Sequence, residues 1–291
     1  MPQLVVATFN IHAGVDGWGR PHDVVGACRQ LDADVLVLQE SWAPDGAASV
    51  AAVVADQLGY RCHELAVAHG RLFGPHPAAD RRWGPRPWVR RLRTLLLHHP
   101  AGDGRLEPAD RPPPGPAGVG PARRGSQHGR SWHRGAWGVA VLSRLPVLEV
   151  RPIDLGQLPR DRARRKALAC TVDVDGVAVI VVGTHMSHLS HGSPLQFRRL
   201  ARALPPTSVP AVVAGDMNLW GPPVSALIPH WRRAVRGRTW PAWRPLAQID
   251  HVLVSAAVQV EQAEVVAVGG SDHRPIRCRL AVGQVEAVPA R

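Results

Sequence analysis

The sequence predicts an α/β (α+β) fold in which two mixed β-sheets pack face to face with helices on the outside. Three observations carry this reading. Short runs of β-branched and apolar residues recur along the chain and read as strands buried on both faces. Helical stretches fall between the first of these runs. The second half then becomes strand-dense, with the hairpin signal Asp175-Gly176 between two runs. This mixture fits neither a doubly wound sheet nor an all-β sandwich, whereas two packed sheets with outer helices accommodate it.

Taken in order, Leu4–Phe9 forms a first strand that ends in Asn10. Pro21–Leu31 reads as a helix, Val35–Gln39 as a strand ending in Glu40, and Ala47–Leu58 as a second helix. Residues 70–134 are rich in Pro and Gly, lack a sustained apolar period, and read as a long, partly disordered insertion between core strands. Trp137–Ser143, Val147–Ile153, Ala167–Val174 and Val177–Thr184 read as consecutive strands, the last ending in His185. A helix over Pro194–Leu204 leads to the run Ala211–Gly215, which ends in Asp216 with Asn218 two residues on. Residues 220–245 read as irregular, and three strands close the chain. The first of these carries Asp250 at its edge, and the last follows the turn Gly269-Gly270-Ser271-Asp272-His273. The single domain expected from this order spans 1–283, with a tail at 284–291.

One polar residue at a strand end is ordinary, because Asn, Asp and Gly terminate strands often. Five sites bearing only Asn, Glu, Asp and His, each after its own apolar run, describe instead a convergent pocket. Phosphoester hydrolysis needs a positioned water, a base for its proton, positive charge where the phosphorane charge develops, and help for the departing oxygen. Glu40 and Asp272 are the expected metal ligands, with Asn10 a neutral neighbour for metal or phosphate oxygen. Mg²⁺ suits such a site, since it takes one or two protein carboxylates and keeps water and substrate in the rest of its shell; Mn²⁺ is an alternative. Asp216 is the candidate general base and Asn218 the group fixing water or a phosphoryl oxygen, although an Asx-turn would also place an Asp and an Asn at that spacing. His273 would stabilise the pentacoordinate phosphate or protonate the leaving oxygen. No nucleophilic Ser or Cys with a paired base stands in the pattern, which points to direct in-line attack by water.

The series TFNIH, VLVLQE, GVAVLSR, GTHMSH, AGDMN, QIDHVLVS and GGSDHRP resembles the endonuclease/exonuclease/phosphatase superfamily, with its DNase I-like fold, over residues 3–69 and 135–281. The resemblance implies a four-layer α/β sandwich and a metal-dependent phosphoesterase. It assigns Asp250 to orienting His273, and His185 to a second active-site position that is His in DNase- and sphingomyelinase-like members and Tyr in abasic-site enzymes. It also places an Arg at the substrate rim, here Arg165 in the basic run from Arg160 to Lys166. Arg144, in the strand-ending Leu-Ser-Arg, is read as structural. The glutamate that partners the second histidine in DNase-like members is missing from Gly135–Gly138, so His185 lacks that partner or uses another.

Composition bounds the substrate. The chain has 291 residues and a formal charge of +12, and of its 35 basic residues only Lys166 is lysine. The stretch 70–134 holds 13 Arg against Asp80, Asp103, Glu107 and Asp110, hence +9 of the total and about +3 for the remainder. Its readings are a basic flap for polyanions or a passive arginine-rich loop. Nucleic acid is the favoured substrate. A lipid or small-molecule phosphodiester, of sphingomyelinase- or inositol-phosphatase-like kind, is the alternative, and a non-catalytic polyanion-binding module the remote one. Four scattered cysteines without a CxxC pair argue against a zinc site and read as reduced thiols. With no secretory or membrane-crossing segment recognised, the expected location is cytoplasmic.

Overall fold

The computed structural model describes residues 1–75, 107–108 and 130–283. Strand β1 (Gln3–Asn10) leads to helix α1 (Val24–Leu31), β2 (Val35–Pro44), α2 (Val50–Leu58), β3 (Arg61–Pro75), β4 (Glu107–Pro108) and β5 (Arg130–Ser143). There follow β6 (Val147–Gln157), β7 (Arg164–Val174), β8 (Val177–His185), α3 (Pro194–Ala203), β9 (Ala211–Asp216) and α4 (Gly221–Leu227). Strands β10 (Arg232–Arg233), β11 (Asp250–Val254), β12 (Val258–Val265) and β13 (Ile276–Val282) complete the fold. One sheet has the order β12-β13-β1-β2-β5-β3-β4, the other β10-β11-β9-β8-β7-β6, and both mix parallel with antiparallel pairs.

Side-chain alternation sorts each central strand into two faces. Leu4, Val6, Val35, Val37 and Val141 from the first sheet meet Val179, Val181, Val212, Ala214, Val252 and Val254 from the second. The opposite faces are covered by helices: Phe9, Leu36 and Leu38 pack on Val24, Cys28, Leu31 and Val54, while Val213 and Leu253 pack on Phe197, Leu200 and Val224. Helix, sheet, sheet, helix is the four-layer order expected. The sheets approach so closely at Gly183 that a Cβ there would stand 2.8 Å from Val37 and 3.0 Å from Val141.

Local chemistry corrects several predicted boundaries. The first helix begins at Val24 and not at Pro21, because Asp23 is its N-cap and accepts the Gly26 N–H at 2.8 Å. The second begins at Val50, capped by Ser49, whose hydroxyl accepts the Ala52 N–H at 2.9 Å. Both ends of the predicted insertion are strand. Residues 70–75 continue β3, residues 130–134 open β5, and the two arms pair from Arg61↔Ser143 out to Pro75↔Arg130. Most of the insertion, 76–106 and 109–129, lies outside the described residues, as does the 284–291 tail. The stretch 220–245 contains α4 and β10, so it is not wholly irregular. Arg144 is structural as expected, pairing with Asp32 at 3.0 Å and lying over the Tyr60 ring. The four cysteines are free thiols, three of them buried, and burial pushes each up to about 12.

Candidate active site

The site grows out of the inter-sheet core where the apolar rows run out. Across β8, β9 and β11, His185 pairs with Asp216 and Asp216 with Asp250. These three residues share the parity of Val181, Val212 and Val252, so they continue the inter-sheet face in polar form. On the opposing sheet Thr8 and Asn10 extend the row of Leu4 and Val6. Thr8 exchanges hydrogen bonds with Gln39, a buried polar layer between the core and the site.

Glu40 breaks the alternation. Its neighbours Leu36 and Leu38 face the helices, and an unbroken strand would send Glu40 after them. Instead the β2–β5 register shifts between Gln39 and Ser41, and Glu40 adopts φ 57°. A bulge of this kind re-aims one side chain. Here it turns Glu40 to the inter-sheet side, where its Oε1 accepts from Asn10 Nδ2 at 3.2 Å. Glu40 therefore does not end a strand, as predicted, but sits inside one that runs on to Pro44.

Asp216 is the hub. Its Oδ1 accepts the Asn218 N–H at 2.9 Å, and its Oδ2 accepts Asn10 Nδ2 at 3.0 Å. The same Oδ2 lies 3.6 Å from His185 Nε2 and 3.8 Å from His273 Nε2. Burial and the nearby Asp250 carboxylate push Asp216 up to about 7, against His273 and the two hydrogen bonds. Gly215 precedes it because a Cβ there would fall 1.9 Å from the Thr184 carbonyl. His273 Nδ1 meets Asp250 Oδ2 at 2.9 Å, which leaves Nε2 toward Asp216. Burial opposes the charged ring, but Asp250, Asp272 and Asp216 outweigh it and hold His273 well above the usual histidine range.

Asn10 is held by its own turn. The His12 N–H donates to Asn10 Oδ1 at 3.0 Å, which fixes the amide so that Nδ2 faces Glu40 and Asp216. The Ser271 hydroxyl donates to the Asn10 carbonyl at 2.6 Å and stands 3.4 Å from Asp272 Oδ1, tying the 269–273 turn to the end of β1. Asp272 faces His12, with Oδ1 3.4 Å from Nδ1.

These residues fit a divalent cation. Glu40, Asp216, Asp250 and Asp272 are all at most 8% exposed, and Asp250 Oδ1 has no hydrogen-bond partner. Among the described residues, the cationic side chains within 4.0 Å of Asp216, Asp250 and Asp272 are imidazoles. So many buried carboxylates call for more positive charge than that. Asp216, Asp250 and His273 also form a cluster able to hold an ion. The short His273–Asp250 hydrogen bond already occupies that ring nitrogen.

The structure thus brings Asn10, Glu40, His185, Asp216, Asp250, Asp272 and His273 to one place. Two further predicted residues make structural hydrogen bonds of their own. Asn218, at φ 50°, donates one amide hydrogen to the Met186 carbonyl at 3.0 Å, and its backbone N–H is what holds Asp216. This is the Asx-turn geometry weighed above. Arg165 is 6% exposed, and its Nε donates to Asp161 Oδ2 at 2.9 Å. His12, two residues past Asn10, is also buried against Asp272. Ser271 was missed, although its place beside Asp272 in the glycine turn was the available signal.

Asp161 is the other residue not anticipated. Besides Arg165 it accepts the Ser187 hydroxyl and the Ala163 N–H, and Gln196 Nε2 in turn donates to Ser187 Oγ at 2.8 Å. This network fixes the segment just after His185. Burial opposes the Asp161 charge, but Arg165 and these donors hold the carboxyl down at about 2. The shift from an ordinary value near 3.8 corresponds to about 2 kcal/mol of stability. A depressed carboxyl stabilises above its unfolded pKa, and the contribution is lost as pH falls through the folded one. Asp161→Asn should therefore lose at least about 2 kcal/mol at pH 7, with the gap to wild type closing between about pH 4 and 2. Urea unfolding at pH 7, 4 and 2 measures this.

Comparison with known proteins follows the same lines. The sequence profile of the Endonuclease/Exonuclease/phosphatase family matches residues 7–273. No curated protein matches. Among solved structures, an endonuclease/exonuclease/phosphatase from Beutenbergia cavernae is similar at 22% identity and TM-score 0.61, over 98% of this chain and 73% of that one. The human Nocturnin catalytic domain with bound sulfate aligns at 16% identity and TM-score 0.58, over 97% and 94% of the two chains. D. rerio TDP2 complexed with single strand DNA product aligns at 14% and 0.54, over 96% and 99%. Identities this low carry the fold, and the fold agrees.

Proposed function

This chain belongs to the endonuclease/exonuclease/phosphatase family, whose members hydrolyse phosphoester bonds, and from that membership we propose a Mg²⁺-dependent phosphodiesterase acting on nucleic acid. The observation that carries the reading is Asp216 Oδ2, a buried base that Asn10, His185 and His273 approach from three other segments.

Glu40 and Asp272 would hold the cation, with the remaining Oδ1 lone pair of Asn10 beside them; when bound, it supplies positive charge where phosphoryl oxygens gain negative charge. Asp216 Oδ2 takes the proton of a water as that water's oxygen attacks phosphorus in line. His273, kept protonated by its carboxylate neighbours, gives the Nε2 proton to the departing oxygen as the P–O bond breaks. Asp250 keeps the His273 proton relay in one orientation through the Nδ1 hydrogen bond. His185 and Asn218 border the same base, His185 as a donor to a phosphoryl oxygen and Asn218 through its second amide hydrogen. Arg165 would reach substrate with its two terminal nitrogens, since Asp161 engages its Nε. No covalent enzyme intermediate is required.

Nucleic acid is favoured by the net charge of +12, and a relative in the same fold is known with a single-stranded DNA product. The small charge outside 70–134 supports the second reading, a lipid or small-molecule diester. Purified protein assayed on a bis-aryl phosphodiester, single-stranded DNA and phospholipid vesicles, with Mg²⁺ and with EDTA, separates these. Metal-dependent turnover, lost in Asp216→Ala and His273→Ala and fastest on DNA, is expected. Glu40→Gln should raise the Mg²⁺ concentration for half-activity by at least about tenfold, since even outer-shell partners of a metal are worth roughly 10–100-fold. Metal-independent turnover would end the cation reading, and no turnover on any phosphoester would leave a polyanion-binding module.

A further inference from the structure

His12 is 94% buried, as its 6% exposure implies, and neither of its ring nitrogens has a hydrogen-bond partner. A buried imidazole is normally oriented by an acceptor for its N–H and a donor or ligand for its lone pair. Among the described residues, the carboxylate that pairs with this ring is Asp272, whose Oδ1 lies 3.4 Å from Nδ1. That separation is longer than the usual N–H···O hydrogen bond. It suits two donors on one ion: ligand atoms about 2.1 Å from a common metal, roughly 90–110° apart, lie about 3.0–3.4 Å from each other. The backbone places the ring there under constraint. His12 has φ 46° and Ala13 φ 55°, left-handed values at two successive residues with side chains, and the His12 N–H is the group that fixes Asn10.

We propose that His12 is a nitrogen ligand of the cation held at Asp272, and that it lets a site suited to Mg²⁺ accept first-row transition metals as well, with Mn²⁺ as the probe ion. The inference rests on the reading that Glu40 and Asp272 hold the cation. Its chemical basis is that Mg²⁺ prefers an all-oxygen shell, whereas imidazole is a better donor to the transition ions. With Nδ1 as the ligand atom, the ring proton sits on Nε2.

The test is metal binding by the full chain without substrate. Titration calorimetry with Mn²⁺ and with Mg²⁺ compares wild type, His12→Gln and Glu40→Gln, with circular dichroism to establish folding. His12→Gln should weaken Mn²⁺ at least about tenfold and change Mg²⁺ less than about threefold. Pulsed EPR of bound Mn²⁺ should show ¹⁴N coupling in wild type that disappears in His12→Gln. Labelling wild type with ¹⁵N-histidine should alter that coupling, a measurement that needs no variant to fold. Unchanged Mn²⁺ affinity in His12→Gln, or Mn²⁺ bound to wild type without nitrogen coupling, overturns the assignment. If Glu40→Gln abolishes binding in that case, the cation site stands and only His12 leaves it. If Glu40→Gln also binds normally, the cation reading fails with it.

Discussion

Asp216→Asn should lower kcat by about 10³–10⁴-fold, near the upper end of what one general base contributes, and leave KM within a few-fold. The substitution keeps the shape of the side chain. An amide oxygen at Oδ1 can still accept the Asn218 N–H, so the turn after β9 survives. What it removes is the basic lone pair at Oδ2, and it sets an NH₂ group against Asn10 Nδ2, a donor facing a donor. Stability should move the other way. Burial and Asp250 raise the Asp216 carboxyl to about 7, so folding is disfavoured by its ionisation. An acid with a raised folded pKa destabilises fully above that pKa and not at all below its unfolded value near 3.8. The Asn variant should thus be more stable than wild type at pH 8, with the gain fading as pH falls toward 4. Steady-state kinetics and denaturant unfolding across that range measure both effects. A variant that is less stable at pH 8 and keeps its kcat would mark Asp216 as a structural strand terminator.

Such opposed effects on rate and stability are expected where like charges are gathered for chemistry, and they bear on what the sequence could disclose. The apolar runs announce the central strands because a strand buried on both faces must be apolar throughout. The same property made the polar ends conspicuous, so Asn10, His185, Asp216 and Asp250 were legible as a set. Strand β3 was not. Arg61-Cys62-His63-Glu64 has few β-branched residues, and the strand is specified by its partner β5 across a register running to Pro75↔Arg130. The site's internal wiring was hidden for a different reason. Asn10 and Asp216 are 206 residues apart, and nothing local says that the Asn10 amide will bridge two carboxylates. Glu40 was found by position, yet the bulge that aims it arises only in the β2–β5 pairing. His12 carries no local signal, because histidine is frequent in this chain, with 15 copies, and its burial beside Asp272 exists only in the fold.

Asp250→Asn should displace the whole pH–rate profile toward acid while lowering its peak by about 10²–10⁴-fold. Two separate groups produce the displacement. Burial pulls the His273 pKa down, and Asp250 is foremost among the groups that hold it up, through its charge and the 2.9 Å bond to Nδ1. Without that carboxylate burial gains ground, the ring loses its proton at lower pH, and the alkaline limb moves acidward. Asp250 is also the neighbour that, after burial, does most to raise Asp216. Removing its charge lets Asp216 ionise at lower pH, so the acid limb moves in the same direction. A change that only loosened the site would lower the rate at every pH and leave both limbs in place. Losing orientation alone, with His273 still charged by Asp272 and Asp216, would likewise leave the alkaline limb fixed. The sign of the movement at both ends of one profile therefore tests whether the Asp216–Asp250–His273 cluster acts as a coupled acid and base, through a substitution made at neither of the two groups that transfer protons.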